Sequence, residues 1–171
     1  MDYSAMIDKK VSKINKDKQL AEKKEYSNLL AAKKRFTQTA PEVKKLFNIL
    51  LELHSKLPAY VYEEDLSILK KSSSGGSWNH TIRANGISHH FGLMISPRQN
   101  QEITIGWFNG GSCGQWDVHC DGTTIWEQHE NTSETRTPSA GVINEYCDRF
   151  YEFKKLFEAW FTKNFGGDDN V

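Results

Sequence analysis

The sequence has few of the features that mark membrane, secreted or disulfide-rich proteins. No apolar run approaches the roughly 20 residues that a membrane-spanning helix needs. No apolar segment follows a basic stretch at the start of the chain, so we expect no secretory signal. Three cysteines among 171 residues are an odd number, which disfavours a disulfide framework. These absences predict a cytoplasmic protein with no membrane partner.

Motifs that identify common enzyme classes are also missing. The Gly-Gly-Ser segment at 75–77 lacks the lysine and the following helix that a phosphate-binding loop needs. Cys113 lies in a predicted hairpin loop, away from the helix N-terminus that lowers the pKa of a catalytic cysteine. Cys120 and Cys147 lie at positions where we expect them to pack as small hydrophobic side chains. The sequence therefore favours a non-enzymatic protein, and it predicts no cofactor.

Charge is distributed unevenly along the chain. Residues 1–58 contain 13 basic and seven acidic residues, a balance of +6, whereas residues 59–171 carry a balance of −6. A charge separation of this kind concerns binding partners more than fold. The alternative interpretation is an ordinary solvated helix face, because lysine is a good surface residue in helices.

Helices are predicted at the start of the chain. Residues 2–37 contain no glycine or proline, and Ile7, Val11 and Ile14 form a narrow apolar stripe, so we predict a basic helical arm over residues 1–37. The spacing of Thr39 and Glu42 resembles a capping box, with proline in the first turn, which predicts a second helix. This helix should bury one apolar face and end at Pro58.

The middle of the chain predicts an antiparallel sheet. Apolar residues follow a period of two from Ala59 to about Glu130, and the segment from Tyr60 to Leu69 reads as one strand. Asn-Gly and Asp-Gly pairs mark tight hairpins, which are too short to hold crossover helices. We therefore predict a meander of about five strands.

A long helix is predicted at the end of the chain. Thr137 is its expected N-cap and Pro138 its first residue. An aromatic stripe follows, and Gly166-Gly167 should end the helix. The predicted fold is α+β, with the aromatic helix packed on the sheet, a single domain over residues 38–165 and a flexible tail over residues 166–171.

The last predicted hairpin carries the main candidates for chemistry. A three-residue loop would place the side chains of Asp117, His119, Glu127 and His129 on one face, where they could bind a metal ion. A two-residue loop would place Asp117 and His119 on the face opposite Glu127 and His129. None of these residues has a recognised zinc-binding spacing, so cross-strand pairing on a polar face is the stronger expectation.

These patterns favour three functions. The leading hypothesis is an interaction protein that binds a protein or nucleoprotein complex, such as an inhibitor or adaptor of phage or mobile-element type. The second is nonspecific nucleic-acid binding through the basic helices of residues 9–45, and the third is a metal-dependent hydrolase built on the hairpin. The candidate partner-binding residues are Lys33, Lys34, Arg35, Lys44, Lys45, Trp107 and Phe108.

Overall fold

The computed structural model describes residues 1–56, 60–62, 66–70, 80–84, 91–96, 102–107, 116–129, 132 and 134–166. The elements in these residues form an α+β fold, as predicted. In chain order they are α1 (Tyr3–Lys56), β1 (Tyr60–Tyr62), β2 (Leu66–Lys70), β3 (His80–Ala84), β4 (Gly92–Ser96), β5 (Glu102–Trp107), β6 (Trp116–Cys120), β7 (Ile125–His129), β8 (Thr135–Arg136) and α2 (Ala140–Phe165).

Helix α1 is one continuous helix of 54 residues, which corrects the prediction of a new helix starting at Thr39. Thr39 does not cap a helix, because its hydroxyl donates to the carbonyl of Arg35 one turn earlier, at 3.0 Å. Pro41 therefore lies inside the helix, where it removes one backbone hydrogen bond. Burial of apolar side chains on both sides of Pro41, including Phe36 and Val43, offsets this local cost.

The sheet is an antiparallel meander, as predicted, but the predicted count of about five strands was wrong. The described residues contain eight strands, paired in chain order from β1 to β8. The segment predicted as one strand from Tyr60 to Leu69 is a hairpin, in which Tyr60 pairs with Leu69 and Tyr62 with Ser67. The strand β8 had no alternating pattern that could reveal it because it has only two residues.

Helix α2 ends at the predicted glycine, but it begins two residues later than predicted. Ser139, and not Thr137, is the N-cap, and its hydroxyl accepts the backbone N–H of Val142. Gly166 is the C-cap, and its N–H donates to the carbonyl of Thr162 at 2.9 Å. Gly167 and most of the predicted tail lie outside the described residues.

One core joins the two helices to one face of the sheet. From α1 it receives Leu50, from α2 Phe150, and from β5 and β6 Ile105 and Val118, all almost fully buried. The buried hydroxyl of Tyr146 on α2 donates to the carbonyl of Ile105 at 3.0 Å, which ties the helix to the sheet with a polar contact. The C-terminal helix therefore packs on the sheet as the sequence predicts.

Leucines on α1 provide a direct test of which part of the helix is structural. We expect Leu50→Ala to lower the free energy of unfolding by about 2–5 kcal/mol, because Leu50 is fully buried and its loss leaves a cavity. The matched variant Leu20→Ala, in the exposed half of the same helix, should change stability by less than about 0.5 kcal/mol. Urea unfolding of both variants measures the difference, and equal losses would contradict this division of α1.

Candidate interaction site

The first half of α1 is not packed against the rest of the domain. All residues from 1 to 28 are exposed, and the first buried side chain of the helix is Ala32. We call residues 3–28 of α1 the exposed arm. At 1.5 Å per residue the exposed arm extends for about 39 Å beyond the packed part of the helix.

The exposed arm is helical for local reasons. Its residues are mostly strong helix formers, and the packed half of α1 supplies the first turns, which are the costly step in helix formation. At the N-terminus, the carboxylate of Asp2 accepts the N–H of Ala5 at 3.1 Å and satisfies one of the free amides. The helix therefore needs no contact with the sheet to extend to Tyr3.

Four exposed apolar side chains on the arm form a stripe, which we call the apolar stripe: Tyr3, Ile7, Val11 and Ile14. Their exposed fractions are between 48% and 69%. At about 100° per residue they fall within about 80° of one another around the helix axis. The same side of α1 carries Leu50 and the other residues of the core. The buried face of the helix thus continues into solvent as an uncovered apolar surface.

Polar contacts fix the base of the arm against α2. The guanidinium of Arg35 donates to the carbonyl of Asn144 at 3.3 Å and forms an ion pair with Asp148. The hydrogen bond to Asp148 raises the pKa of Arg35. The structure thus gives Arg35, which the sequence predicted for partner binding, a structural role between the two helices.

Further along the same interface, Glu42 of α1 joins two residues of α2. The hydroxyl of Tyr151 donates to one carboxylate oxygen of Glu42 at 2.5 Å, and the ammonium of Lys154 lies 3.2 Å from the other. Both contacts lower the pKa of Glu42, and the hydrogen bond from Tyr151 has the larger effect. Arg35 contacts residues 144 and 148 of α2, whereas Glu42, seven residues later in α1, contacts residues 151 and 154. The two helices therefore run parallel.

The other predicted partner-binding residues lie in different places. Lys33, Lys34 and Lys45 are exposed on α1. Lys44 is also exposed, but its ammonium lies 5.9 Å from the ring centre of Phe47. The side chain of Lys44 packs beside Gly122, where a β-carbon would come within 2.8 Å of it. The backbone of Trp107 pairs with Val118, and Phe108 lies outside the described residues.

The register of the last hairpin separates the four candidate metal ligands. Asp117 pairs with Gln128 and His119 with Trp126, whereas Glu127 pairs with Val118. Since side chains alternate along a strand, Asp117 and His119 lie on the face opposite Glu127 and His129. The loop has four residues, stabilised by the carboxylate of Asp121, which accepts two backbone N–H groups at 2.7 and 2.8 Å. The four residues therefore cannot surround one metal ion.

The side chains on the two faces of this hairpin make different contacts. On the helix-facing side, Glu127 accepts two hydrogen bonds from Arg136, at 2.9 and 3.2 Å, and the guanidinium of Arg136 stacks on the ring of Trp116. On the other side, the ring of His119 stacks on Trp126, with ring centres 5.6 Å apart. Burial lowers the pKa of His119 to about 4, so this side chain is neutral at pH 7. Within the described residues, no three histidine, cysteine or acidic side chains are grouped as metal ligands.

The two described cysteines are structural, as predicted. Cys120 and Cys147 are both fully buried. Burial raises the pKa of Cys120 to about 11 and also raises the pKa of Cys147, so neither thiol ionises readily at neutral pH. Cys113 lies outside the described residues.

Comparison of the chain with known protein families, with curated proteins and with solved structures finds no match. Among the described residues, neither helix combines the length and apolar content that a membrane span requires. The geometry of the described residues is therefore the basis for any functional assignment.

The contact between Glu42 and α2 predicts a pH dependence. Glu42→Gln keeps an acceptor for Tyr151 but removes the charge that faces Lys154, so it should lower the free energy of unfolding at pH 7 by up to about 1 kcal/mol. Because the folded state lowers the pKa of Glu42, this stabilisation is present above the ordinary value of 4.5 and disappears as the pH falls through the folded-state value. Thermal unfolding between pH 3 and pH 7 should show the two proteins converging in acid. Glu25→Gln, on the exposed arm, is the control and should match the wild type throughout, and a constant gap for Glu42→Gln would contradict the assignment.

Proposed function

We propose that this protein is a non-enzymatic interaction protein that binds a protein or nucleoprotein partner through the exposed arm. The observation that supports this proposal is the apolar stripe. Its four side chains are exposed to solvent on one side of a continuous helix: Tyr3, Ile7, Val11 and Ile14. Scattered apolar residues are common on protein surfaces, but an aligned group on a projecting helix is typical of a binding surface.

The spacing of the stripe suits recognition of a helix by a groove. Its residues recur at intervals of three and four along α1, which is the pattern by which an amphipathic helix anchors in an apolar groove. The stripe covers about 16 Å along the helix axis, a length that a groove on a small domain can accommodate. We therefore expect the partner to contribute a complementary apolar groove.

The base of the arm supports such binding by limiting its motion. The contacts of Arg35 and Glu42 with α2 hold α1 at one orientation relative to the sheet. A binding element that is already ordered loses less conformational entropy on association. Lys10 and Lys18 flank the stripe and would accelerate association with an acidic partner. A small domain with one prepared binding helix fits an inhibitor or adaptor, as phages and mobile elements encode.

The experiment compares three versions of the full-length protein as baits in native lysate treated with nuclease. The variant Ile7→Asp/Val11→Asp disrupts the apolar stripe, and the control Ser12→Asp/Asn15→Asp adds the same charge on other sides of the same turns. We expect the wild type and the control to retain one stoichiometric protein that the stripe variant loses. Identical recoveries from all three baits, or no specific recovery by the wild type, would contradict the proposal.

A further inference from the structure

Five lysines on α1 line up along one side of the helix because α1 is continuous. We call them the lysine row: Lys9, Lys16, Lys23, Lys34 and Lys45. They are spaced seven or eleven residues apart, and each of these steps returns to within about 20° of the same direction around the helix. The row spans 36 residues, which is about 54 Å along the helix axis.

The lysine row faces away from the body of the domain. Its direction is about opposite to that of Val43 and Leu50, which are fully buried in the core. All five lysines are exposed, and none of them takes part in an ion pair within the described structure. The ammonium groups are therefore available for a ligand.

Acidic residues lie on other sides of the helix than the lysine row. Four acids occur between residues 9 and 45; three of them lie about 80° or more around the helix from the row, and Glu42 lies about 60° from Lys45. The charge of Glu42 interacts with that of Lys45 at the end of the row, but acids do not alternate with the lysines along it as they would in a neutralised surface pattern. The four acids are Asp17, Glu22, Glu25 and Glu42.

We propose that the lysine row binds the phosphate backbone of a nucleic acid duplex. Cations along one side of a long helix complement a duplex, whose axis stays straight over this distance because its persistence length is about 150 base pairs, and whose negatively charged backbones wind past the row at regular intervals. The row contains no arginine, which reads base edges with a planar pair of donors, so we expect binding without sequence preference. Beside the row, Tyr26 lies about 60° around the helix from Lys23, and a single aromatic side chain does not make the series of stacking surfaces on which successive single-stranded bases bind.

This inference rests on the proposed function, because it assigns the nucleic acid of a nucleoprotein partner to one side of α1. The apolar stripe points to the opposite side of the helix, so both surfaces can be occupied together. The inference can also fail separately, since a purified duplex tests the lysine row with no protein partner present.

The test measures binding of a labelled 24-base-pair DNA duplex to the full-length protein between 50 and 200 mM salt. The row variant replaces Lys9, Lys16, Lys23 and Lys34 by glutamine. The control variant replaces the neighbouring lysines Lys10, Lys18, Lys24 and Lys33, which lie on other sides of the same turns and carry the same total charge.

We expect the row variant to bind at least about 10-fold more weakly at 50 mM salt, and its salt dependence to fall by about one for each lysine removed. The control variant should stay within about threefold of the wild type. A second row variant with arginine at the same four positions keeps the charge and should retain binding, which would assign the loss in the glutamine variant to the removed charge.

Each other outcome of this experiment would overturn the inference. Equal losses in the row and control variants would show that total charge, and not the row, determines binding. Absence of duplex binding by the wild type at 50 mM salt would contradict it directly, as would equally tight binding to single strands or to anionic lipid vesicles. A duplex of RNA is the second arm, and binding of both duplexes would show that the shared phosphate backbone is the ligand.

Discussion

The structure depends on how far along α1 the core reaches. Apolar side chains of α1 meet α2 and the sheet from Ala32 to Leu53, and the polar contacts of Arg35 and Glu42 set the direction of the helix at the start of this region. Because a helix propagates from an existing nucleus at little cost, the anchored half determines where the unpacked half points. The position of the exposed arm is thus a consequence of burial elsewhere in the chain.

This arrangement gives one helix three distinct surfaces. Its second half buries one face in the core, and the same face continues along the arm as the apolar stripe. The opposite side carries the lysine row over most of the length of the helix. One helix can therefore contact the domain and an apolar partner on one side while it presents cations on the other. The excess of basic residues in residues 1–58 therefore includes lysines that are aligned in a row, in addition to lysines that serve as good helix formers.

Much of the fold could be predicted from the sequence because the signals are local. The aromatic stripe of α2, its glycine C-cap and the order of the antiparallel strands all follow from periodicity and turn residues. The errors arose where tertiary burial outweighed local chemistry. Thr39 has the spacing of a helix cap, yet its hydroxyl bonds back to Arg35 inside a helix held by core residues on both sides.

The candidate sites were harder to predict for geometric reasons. The hairpin cluster depended on a register that a change of one residue in the loop reverses, and the loop sequence is compatible with more than one length. Four lysines of the row lie within the predicted arm of residues 1–37, but Lys45 lies in the helix predicted to follow it, and its alignment with Lys34 has meaning only along one continuous helix. The apolar stripe was visible as a pattern, but its exposure was not.

We infer that α1 is one continuous helix whose exposed first half extends away from the domain. Small-angle X-ray scattering of the full-length protein at several concentrations tests it most directly. The helix alone is about 81 Å long, so we expect a maximum dimension of at least about 80 Å. A compact chain of 171 residues would have a radius of gyration of about 16 Å. Scattering that gives this compact value would show that the arm folds back on the domain, and it would contradict a projecting arm.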